Sequence, residues 1–171
     1  KATHGITVMV GEPDQIEEPQ LVAKLREIAT RADIEILIGV LSDRLVIVLG
    51  AVNDIEHDTK TIQRGFGEGP IVYGRMVDSL VEAPVSAQEA LEGFSDAPAW
   101  PAAPRPVAAS ELLPERALNG DKVARAALTS QVYRPLSRAG NSLLETVDVY
   151  TTTGGSLEAT ARELFIHANT V

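Results

Sequence analysis

The last sixteen residues of the chain constrain its fold more than any other segment. Gly154 and Gly155 predict a turn, and Ser156 is placed to cap the following helix with its hydroxyl group. The apolar residues of that helix recur at spacings of four and three: Leu157, Ala161 and Leu164. The small side chain of Ala161 suits a steep crossing of two helices. The segment therefore predicts a helix-turn-helix whose second helix begins close to Val171.

Residues 156–171 follow a pattern that is more specific than the general helix-turn-helix motif. The pattern is Ser-Leu-x-x-Thr-Ala-x-x-Leu-x-Ile-His-x-Asn-Thr-Val. It resembles the C-terminal helix-turn-helix of PucR/CdaR-type bacterial transcriptional regulators. Leu143-Leu-Glu-Thr-Val-Asp-Val-Tyr150 resembles the helix that precedes it in that family. The resemblance implies a cytoplasmic DNA-binding regulator of metabolic genes, with a basic Arg-Tyr-Arg-Leu-like run after the motif. We therefore expect this chain to be a fragment that is truncated within the recognition helix. On its own, the fragment is expected to bind DNA weakly or not at all.

The charge of the chain disfavours DNA binding by this stretch alone. The formal net charge is -9 at pH 7, and residues 131–171 carry three arginines against four acidic residues. A polyanion such as DNA is held by concentrated positive charge. DNA binding therefore depends on the basic continuation that the resemblance implies.

Five polar residues are the candidate DNA contacts: Thr153, Ser156, His167, Asn169 and Thr170. Short polar side chains at the start of a recognition helix reach phosphates or base edges. The alternative is that Asn169 or Thr170 only caps the helix while His167 packs in the turn. Because one short recognition helix discriminates poorly, we expect a homodimer that reads two half-sites.

Hydrophobic periodicity predicts the order strand, helix, hairpin, helix, strand over about the first 95 residues. The predicted strands are residues 6–10, 34–41, 45–52 and 71–74, and the predicted helices open near Pro19 and cover residues 54–63 and 86–93. This is the order of the split βαβ fold, in which an antiparallel sheet carries both helices on one face. The fold class is therefore α+β and ferredoxin-like. The resemblance implies the same fold, as a degenerate, GGDEF-like relative of the diguanylate-cyclase palm.

We place the domain boundary near residue 118. Residues 1–118 form the palm-like domain, which includes residues 95–106, where four prolines predict an extended linker. Residues 107–113 predict an edge strand, and the glycine-rich residues 65–70 predict a flexible connector. Residues 119–171 form an all-helical DNA-binding domain, whose earlier helices are expected to bury their apolar stripes against the helix that follows Ser156.

The carboxylates of the palm decide whether an enzyme is expected. Nucleotidyl transfer on two metal ions needs at least two convergent carboxylates. Asp43 in the hairpin and Glu12 or Asp14 after the first strand are the candidates, but Arg44 follows Asp43 and the hairpin lacks the glycines of active relatives. An acidic residue in a hairpin turn most often serves the turn itself. We predict no catalytic residue and no cofactor, with residual nucleotide binding as one alternative.

Other classes of site find little support in the sequence. The chain has no cysteine, and His4, His57 and His167 stand too far apart to share a metal ion on one helix. The apolar residues 34–52 carry Ser42-Asp43-Arg44 in their middle, which favours two strands over a membrane span. The expected partners are DNA, a second copy and an unknown small-molecule effector, with no membrane. The other alternative is a small-molecule-binding or dimerisation module without DNA binding.

Overall fold

The computed structural model describes residues 5–171, so His4 lies outside the described residues. The chain divides into two compact units, of which the first ends at Asp121 and the second runs from Lys122 to Val171. We call them the palm unit and the helical unit. The palm unit contains a sheet with helices and the helical unit contains no strand among its described residues.

A five-stranded sheet is the centre of the palm unit. Its strands are β1 (Gly5–Pro13), β2 (Glu35–Leu41), β3 (Arg44–Val52), β4 (Phe66–Tyr73) and β5 (Val107–Ala108), in the order β2-β3-β1-β4-β5. The first four pair antiparallel, in the order of the predicted split βαβ fold. β5 pairs parallel with β4, so the sheet is mixed and the expectation of a wholly antiparallel sheet is wrong at this edge. The chain returns to that edge through a helix, which is the connection that parallel strands require.

Helices α1 (Glu18–Arg31) and α2 (Ile55–Ile62) pack on one face of the sheet, as the periodicity predicts. Alternate residues of each strand point to that face. The core there includes Met9, Leu21, Leu25, Leu45, Ile47, Leu49, Ile62 and Ile71. Fully burying a Leu or Ile side chain stabilises the fold by about 1.5–3 kcal/mol, so this face supplies most of the driving force for folding the palm unit.

Helix α3 (Ala83–Asp96) packs on the opposite face of the sheet, against β1 and β4. It extends beyond the predicted residues 86–93 at both ends, because Pro84 occupies the first turn, where proline is compatible with a helix. A Cβ atom at Gly74 would overlap the backbone carbonyl of Ser86, so only glycine allows this close approach. The Ser86 hydroxyl accepts a hydrogen bond from the Val8 amide at 3.0 Å, which fixes α3 to β1.

The glycine-rich residues 65–70 are not the flexible connector that the sequence predicts. Most of them belong to β4, which begins at Phe66. A Cβ atom at Gly67 would lie 2.5 Å from the carbonyl oxygen of Pro13, so glycine serves a close approach of β4 to β1. The Arg105 guanidinium also donates a hydrogen bond to the Gly69 carbonyl at 2.7 Å and holds this segment in place.

The proline-rich residues 95–106 are only in part the extended linker that we expect. Ser95 and Asp96 complete α3, and Ala97–Ala99 form a 3-10 turn, since Pro98 stands in the first turn, where its missing N–H costs nothing. Trp100 packs against a small cluster that includes Val72 and Leu112. The edge strand predicted after this segment is present as the two residues of β5, and a further short helix, α4 (Leu113–Leu118), follows.

The helical unit is all-helical, as predicted. Its elements are α5 (Lys122–Leu128), a π-helical turn (Thr129–Tyr133), α6 (Arg134–Arg138), α7 (Asn141–Thr152), α8 (Leu157–Glu163) and a 3-10 turn (Ala168–Thr170). The expected burial of two apolar stripes is wrong at Val132 and Leu143, which are exposed, whereas Ala124 is buried and Leu144 and Val147 are half-buried. A unit of this size has too little interior to cover the apolar side of every helix. None of the helices in residues 5–171 is long and apolar enough to cross a membrane.

Asp54 begins α2 by capping it. Its carboxylate accepts hydrogen bonds from the Glu56 and His57 amides, each at 3.1 Å. We expect Asp54→Ala to lower the free energy of unfolding by about 1 kcal/mol, because both amides lose their acceptor. Asp54→Asn keeps an acceptor oxygen and should cost a few tenths of a kcal/mol. Urea denaturation of the two variants checks the difference, and equal losses would contradict the capping role.

Candidate nucleic-acid interface

The turn between α7 and α8 is formed by the two glycines that the sequence singles out. Gly154 and Gly155 have φ angles of 68° and 78°, which glycine adopts without strain. The Gly155 amide donates to the Tyr150 carbonyl at 2.9 Å, so the end of α7 is closed by the turn itself. The chain can therefore reverse sharply and start a second helix within a few residues.

Two hydroxyl groups fix α8 to this turn. Ser156 caps α8, because its oxygen accepts a hydrogen bond from the Ala159 amide at 3.2 Å. Thr153 lies 2.9 Å from the Thr160 hydroxyl, oxygen to oxygen, and its own hydroxyl also donates to the Val149 carbonyl at 2.8 Å. Thr160 is fully buried. The Thr153–Thr160 contact could not be predicted from the sequence, since no local motif links residues seven apart.

Ala161 is buried, as the predicted crossing of α7 and α8 requires. Leu164 is half-buried. Leu157, which the spacing places on the same face, is 53% exposed. That part of the prediction is wrong because the buried residues of α8 are Thr160 and Ala161, about one turn further along, and Thr160 contacts Thr153 at the end of α7.

The turn after α8 leads into the start of the next helical segment. The Ile166 amide donates to the Ala161 carbonyl at 3.0 Å, which closes α8 in the usual way for a helix end. Phe165, in this turn, has a φ of 54° and a fully exposed ring. His167 then caps the 3-10 turn, with its Nδ1 atom accepting from the Asn169 amide at 3.2 Å.

The five candidate DNA contacts fall into two groups. The Thr153 hydroxyl contacts Thr160 across the turn and the Ser156 hydroxyl caps α8, so a structural role accounts for both. His167, Asn169 and Thr170 lie together and exposed at the start of the last helical segment. In the described part of the chain, the side chains of Asn169 and Thr170 make no hydrogen bond, which leaves their polar atoms available to a ligand.

The palm carboxylates do not form a comparable group. Asp14 forms an ion pair with Lys24 at 2.8 Å, and the hydrogen bond from Lys24 lowers the pKa of the Asp14 carboxyl. Asp43 is almost fully exposed in the turn between β2 and β3, next to Ser42, whose φ is 59°. Within residues 5–171, no three acidic or histidine side chains lie close enough to hold a metal ion.

Comparisons with known proteins agree with this division of the chain. Residues 2–94 match the family model of the GGDEF-like domain, and residues 143–171 match that of the PucR C-terminal helix-turn-helix domain. A solved structure, the regulator of polyketide synthase expression from Bifidobacterium adolescentis, is similar with a TM-score of 0.75 and 29% identity, over 98% of this chain and 68% of that one.

Curated relatives are similar over most of this chain. Uncharacterized proteins of Mycobacterium tuberculosis and Mycobacterium bovis are 46% identical over 127 residues, which cover 74% of this chain. The matched region is 31% of the length of each relative, so the chain spans about a third of the proteins it matches.

Proposed function

This chain belongs to the family of PucR/CdaR-type regulators, with a GGDEF-like domain followed by a PucR-type helix-turn-helix, and on that premise we propose that its protein regulates transcription by binding DNA. The targets are genes of a metabolic pathway, bound in the cytoplasm by a homodimer that responds to a small-molecule effector. The full-length protein is the DNA-binding species, and the 171 residues alone bind weakly or not at all.

One observation carries the proposal. The tight crossing at Ala161 and the Thr153–Thr160 contact fix α8 against α7, and the turn after α8 presents His167, Asn169 and Thr170 together on the surface. A helix-turn-helix uses this geometry to bring the first residues of its second helix to the major groove. Those three residues are the DNA contacts that we retain, with Thr153 and Ser156 as residues that orient them or touch the DNA backbone.

The palm unit, which we assign to residues 1–118, senses the effector or mediates dimerisation and does not catalyse a reaction. Two observations support this assignment. Asp14 is paired with Lys24, and Asp43 stands in an exposed turn beside Arg44, 3.9 Å from its guanidinium. A two-metal reaction needs carboxylates that converge. Residues 119–171 form the DNA-binding domain.

DNA binding by the full-length protein tests the proposal. Fluorescence anisotropy is measured with duplexes from the region upstream of its own and adjacent genes, at salt concentrations from about 50 to 200 mM. We expect one duplex to bind about 1,000-fold more tightly than random DNA, with an affinity that falls steeply as salt rises. Equal affinity for all duplexes would contradict sequence-specific regulation.

His167 offers a sharper test, because its two ring nitrogens have different surroundings. Nδ1 accepts the capping hydrogen bond from Asn169, so the hydrogen of the neutral ring lies on Nε2, which is free to donate to DNA. Asparagine reproduces the cap but not the outer donor, whereas glutamine reproduces the outer donor but not the cap. If Nε2 contacts DNA, His167→Asn should weaken specific binding about 10-fold with unchanged stability.

The glutamine variant is the matched control for that measurement. His167→Gln should retain more DNA affinity than His167→Asn, because its amide nitrogen takes the place of Nε2. Thermal unfolding of both variants reports the cap separately. If His167→Asn binds DNA as tightly as the unmodified protein and only His167→Gln is impaired, His167 is a cap and not a DNA contact.

A further inference from the structure

One face of the β2–β3 hairpin is uncovered. Helices α1 and α2 cover the face of the hairpin that carries Ile36 and Ile38 of β2 and the buried residues of β3. The alternate residues of both strands point to the opposite face of the sheet. On that other face α3 covers β1 and β4. Leu37, which pairs with Val48 of β3, is 68% exposed there. We call this surface of β2 and β3 the open face.

The open face is apolar and hollow at one end. A cavity of about 440 Å³ is lined by Ile6, Leu37, Val48, Gly50 and Leu80, among others. Leu80 is itself 70% exposed. A Cβ atom at Gly39, further along the same face, would meet nothing within 4 Å. Contiguous apolar surface of this kind on a soluble protein marks an interaction site.

The two ends of the open face carry different charged side chains: Glu35 stands at one end, and Arg44 stands at the other, where its Nε atom lies 3.9 Å from the carboxylate of its exposed neighbour Asp43. Glu35 begins β2 and pairs with Gly50, while Arg44 begins β3 and pairs with Leu41 at the far end. The seven residues of β2, from Glu35 to Leu41, span about 20 Å. The Arg44 guanidinium lies over the Phe94 ring of α3, 5.1 Å from its centre, which places it on the open face. Between these ends the face carries no charge.

We propose that the open face is the dimer interface, occupied by the open face of a second copy. In this arrangement, a two-fold axis lies in the plane between the two sheets and perpendicular to the strands. The strands of one copy therefore run opposite to those of its partner. Glu35 of each copy then lies opposite Arg44 of its partner, while Leu37 and Val48 interdigitate between them. With Glu35 and Arg44 at opposite ends, this arrangement pairs unlike charges at both ends of the contact, and a two-fold interface requires such self-complementarity. The inference rests on the proposed function in one respect: a regulator that reads two half-sites of DNA needs to be a dimer.

Sedimentation equilibrium of the 171-residue chain tests the interface. We expect a dimer whose Kd rises at least about 10-fold in Leu37→Glu, because a charge then lies in the middle of the apolar contact. Val40→Glu is the matched control: Val40 is 53% exposed on the same strand but points to the opposite face. The control should leave both the Kd and the unfolding temperature unchanged, and Leu37→Glu should stay folded, with its unfolding temperature lowered only by the loss of the dimer.

A charge exchange tests the orientation of the two copies. Glu35→Arg alone should weaken the dimer. At each end of the interface, the new arginine of one copy then faces Arg44 of the other copy, and the two charges repel. Adding Arg44→Glu in the same chain should restore it, whereas an interface without the Glu35–Arg44 pairs gives no restoration.

Three outcomes overturn the proposal: a chain that stays monomeric, a dimer that tolerates Leu37→Glu, and a dimer that Val40→Glu weakens equally. A monomer whose open face binds the apolar dye ANS would point to another occupant and also overturn it. DNA binding of the full-length protein is measured in parallel. A monomeric chain whose full-length protein still binds DNA contradicts the interface alone, and a dimeric chain whose full-length protein binds no DNA contradicts the proposed function alone.

Discussion

Replacing Arg116 with alanine is expected to lower the free energy of unfolding by about 3–5 kcal/mol. Arg116 is buried in the palm unit, where its guanidinium donates to Glu92 at 2.5 Å and to Asp121 at 2.7 Å. The two carboxylates come from α3 and from the residues after α4, so one side chain joins the two segments. Removing it leaves both carboxylates close together without their shared cation, one of them 17% exposed.

The loss is large compared with the total stability of a domain, about 5–15 kcal/mol, so Arg116→Ala should unfold at a clearly lower urea concentration. Arg31→Ala is the matched control, because Arg31 pairs with Glu27 at 2.5 Å but both side chains are exposed. An exposed pair of this kind contributes about 0.3–0.5 kcal/mol. Equal midpoints for the two variants would mean that burial adds nothing to the Arg116 network.

The sequence could not have identified Arg116. It stands between Glu115 and Ala117 in a short polar stretch, and arginine at such a position is usually exposed. Its burial depends on Glu92, which is 24 residues away in sequence and reaches it only when α3 and α4 pack. Contacts between distant segments leave no local pattern, and the same holds for the Thr153–Thr160 hydrogen bond.

What the sequence predicted well is local and periodic. The alternation of Leu45, Ile47 and Leu49 and the helical spacing of Leu21 and Leu25 both report burial on one side of an element, and all five residues are buried in the core. Their order along the chain sufficed for the ferredoxin-like fold of the first four strands. Periodicity describes single elements, however, and cannot report that the predicted edge strand pairs with β4 or that it runs parallel to it.

Glycine and proline were the residues most often misinterpreted. Gly67 suggested flexibility, whereas its missing side chain allows β4 to lie close to β1. Pro98 suggested an extended linker, whereas it stands in the first turn of a 3-10 helical segment, where proline is tolerated. At the candidate interface the same ambiguity did not arise, because Gly154 and Gly155 precede a serine that can cap a helix.

Ala161→Leu is expected to reduce specific DNA binding by the full-length protein at least about 100-fold, while costing about 1–3 kcal/mol of stability. Ala161 is buried in α8, next to Thr160, which contacts the end of α7, so we expect a larger side chain to push the two helices apart. The displacement lengthens the Thr153–Thr160 contact, which is 2.9 Å in the original chain. His167 then moves with the end of α8 and no longer reaches the position from which it contacts DNA.

Ala126→Leu separates this effect from a general response to a larger side chain. Ala126 is exposed on α5 of the same unit, so its replacement should change neither DNA affinity nor stability measurably. Anisotropy titrations and thermal unfolding are compared for the two variants below the unfolding temperature of both. Because folded Ala161→Leu protein keeps its charge, its non-specific affinity should stay the same while its specific affinity falls. A variant that is folded and still discriminates between duplexes would contradict the role of the α7–α8 crossing in DNA recognition.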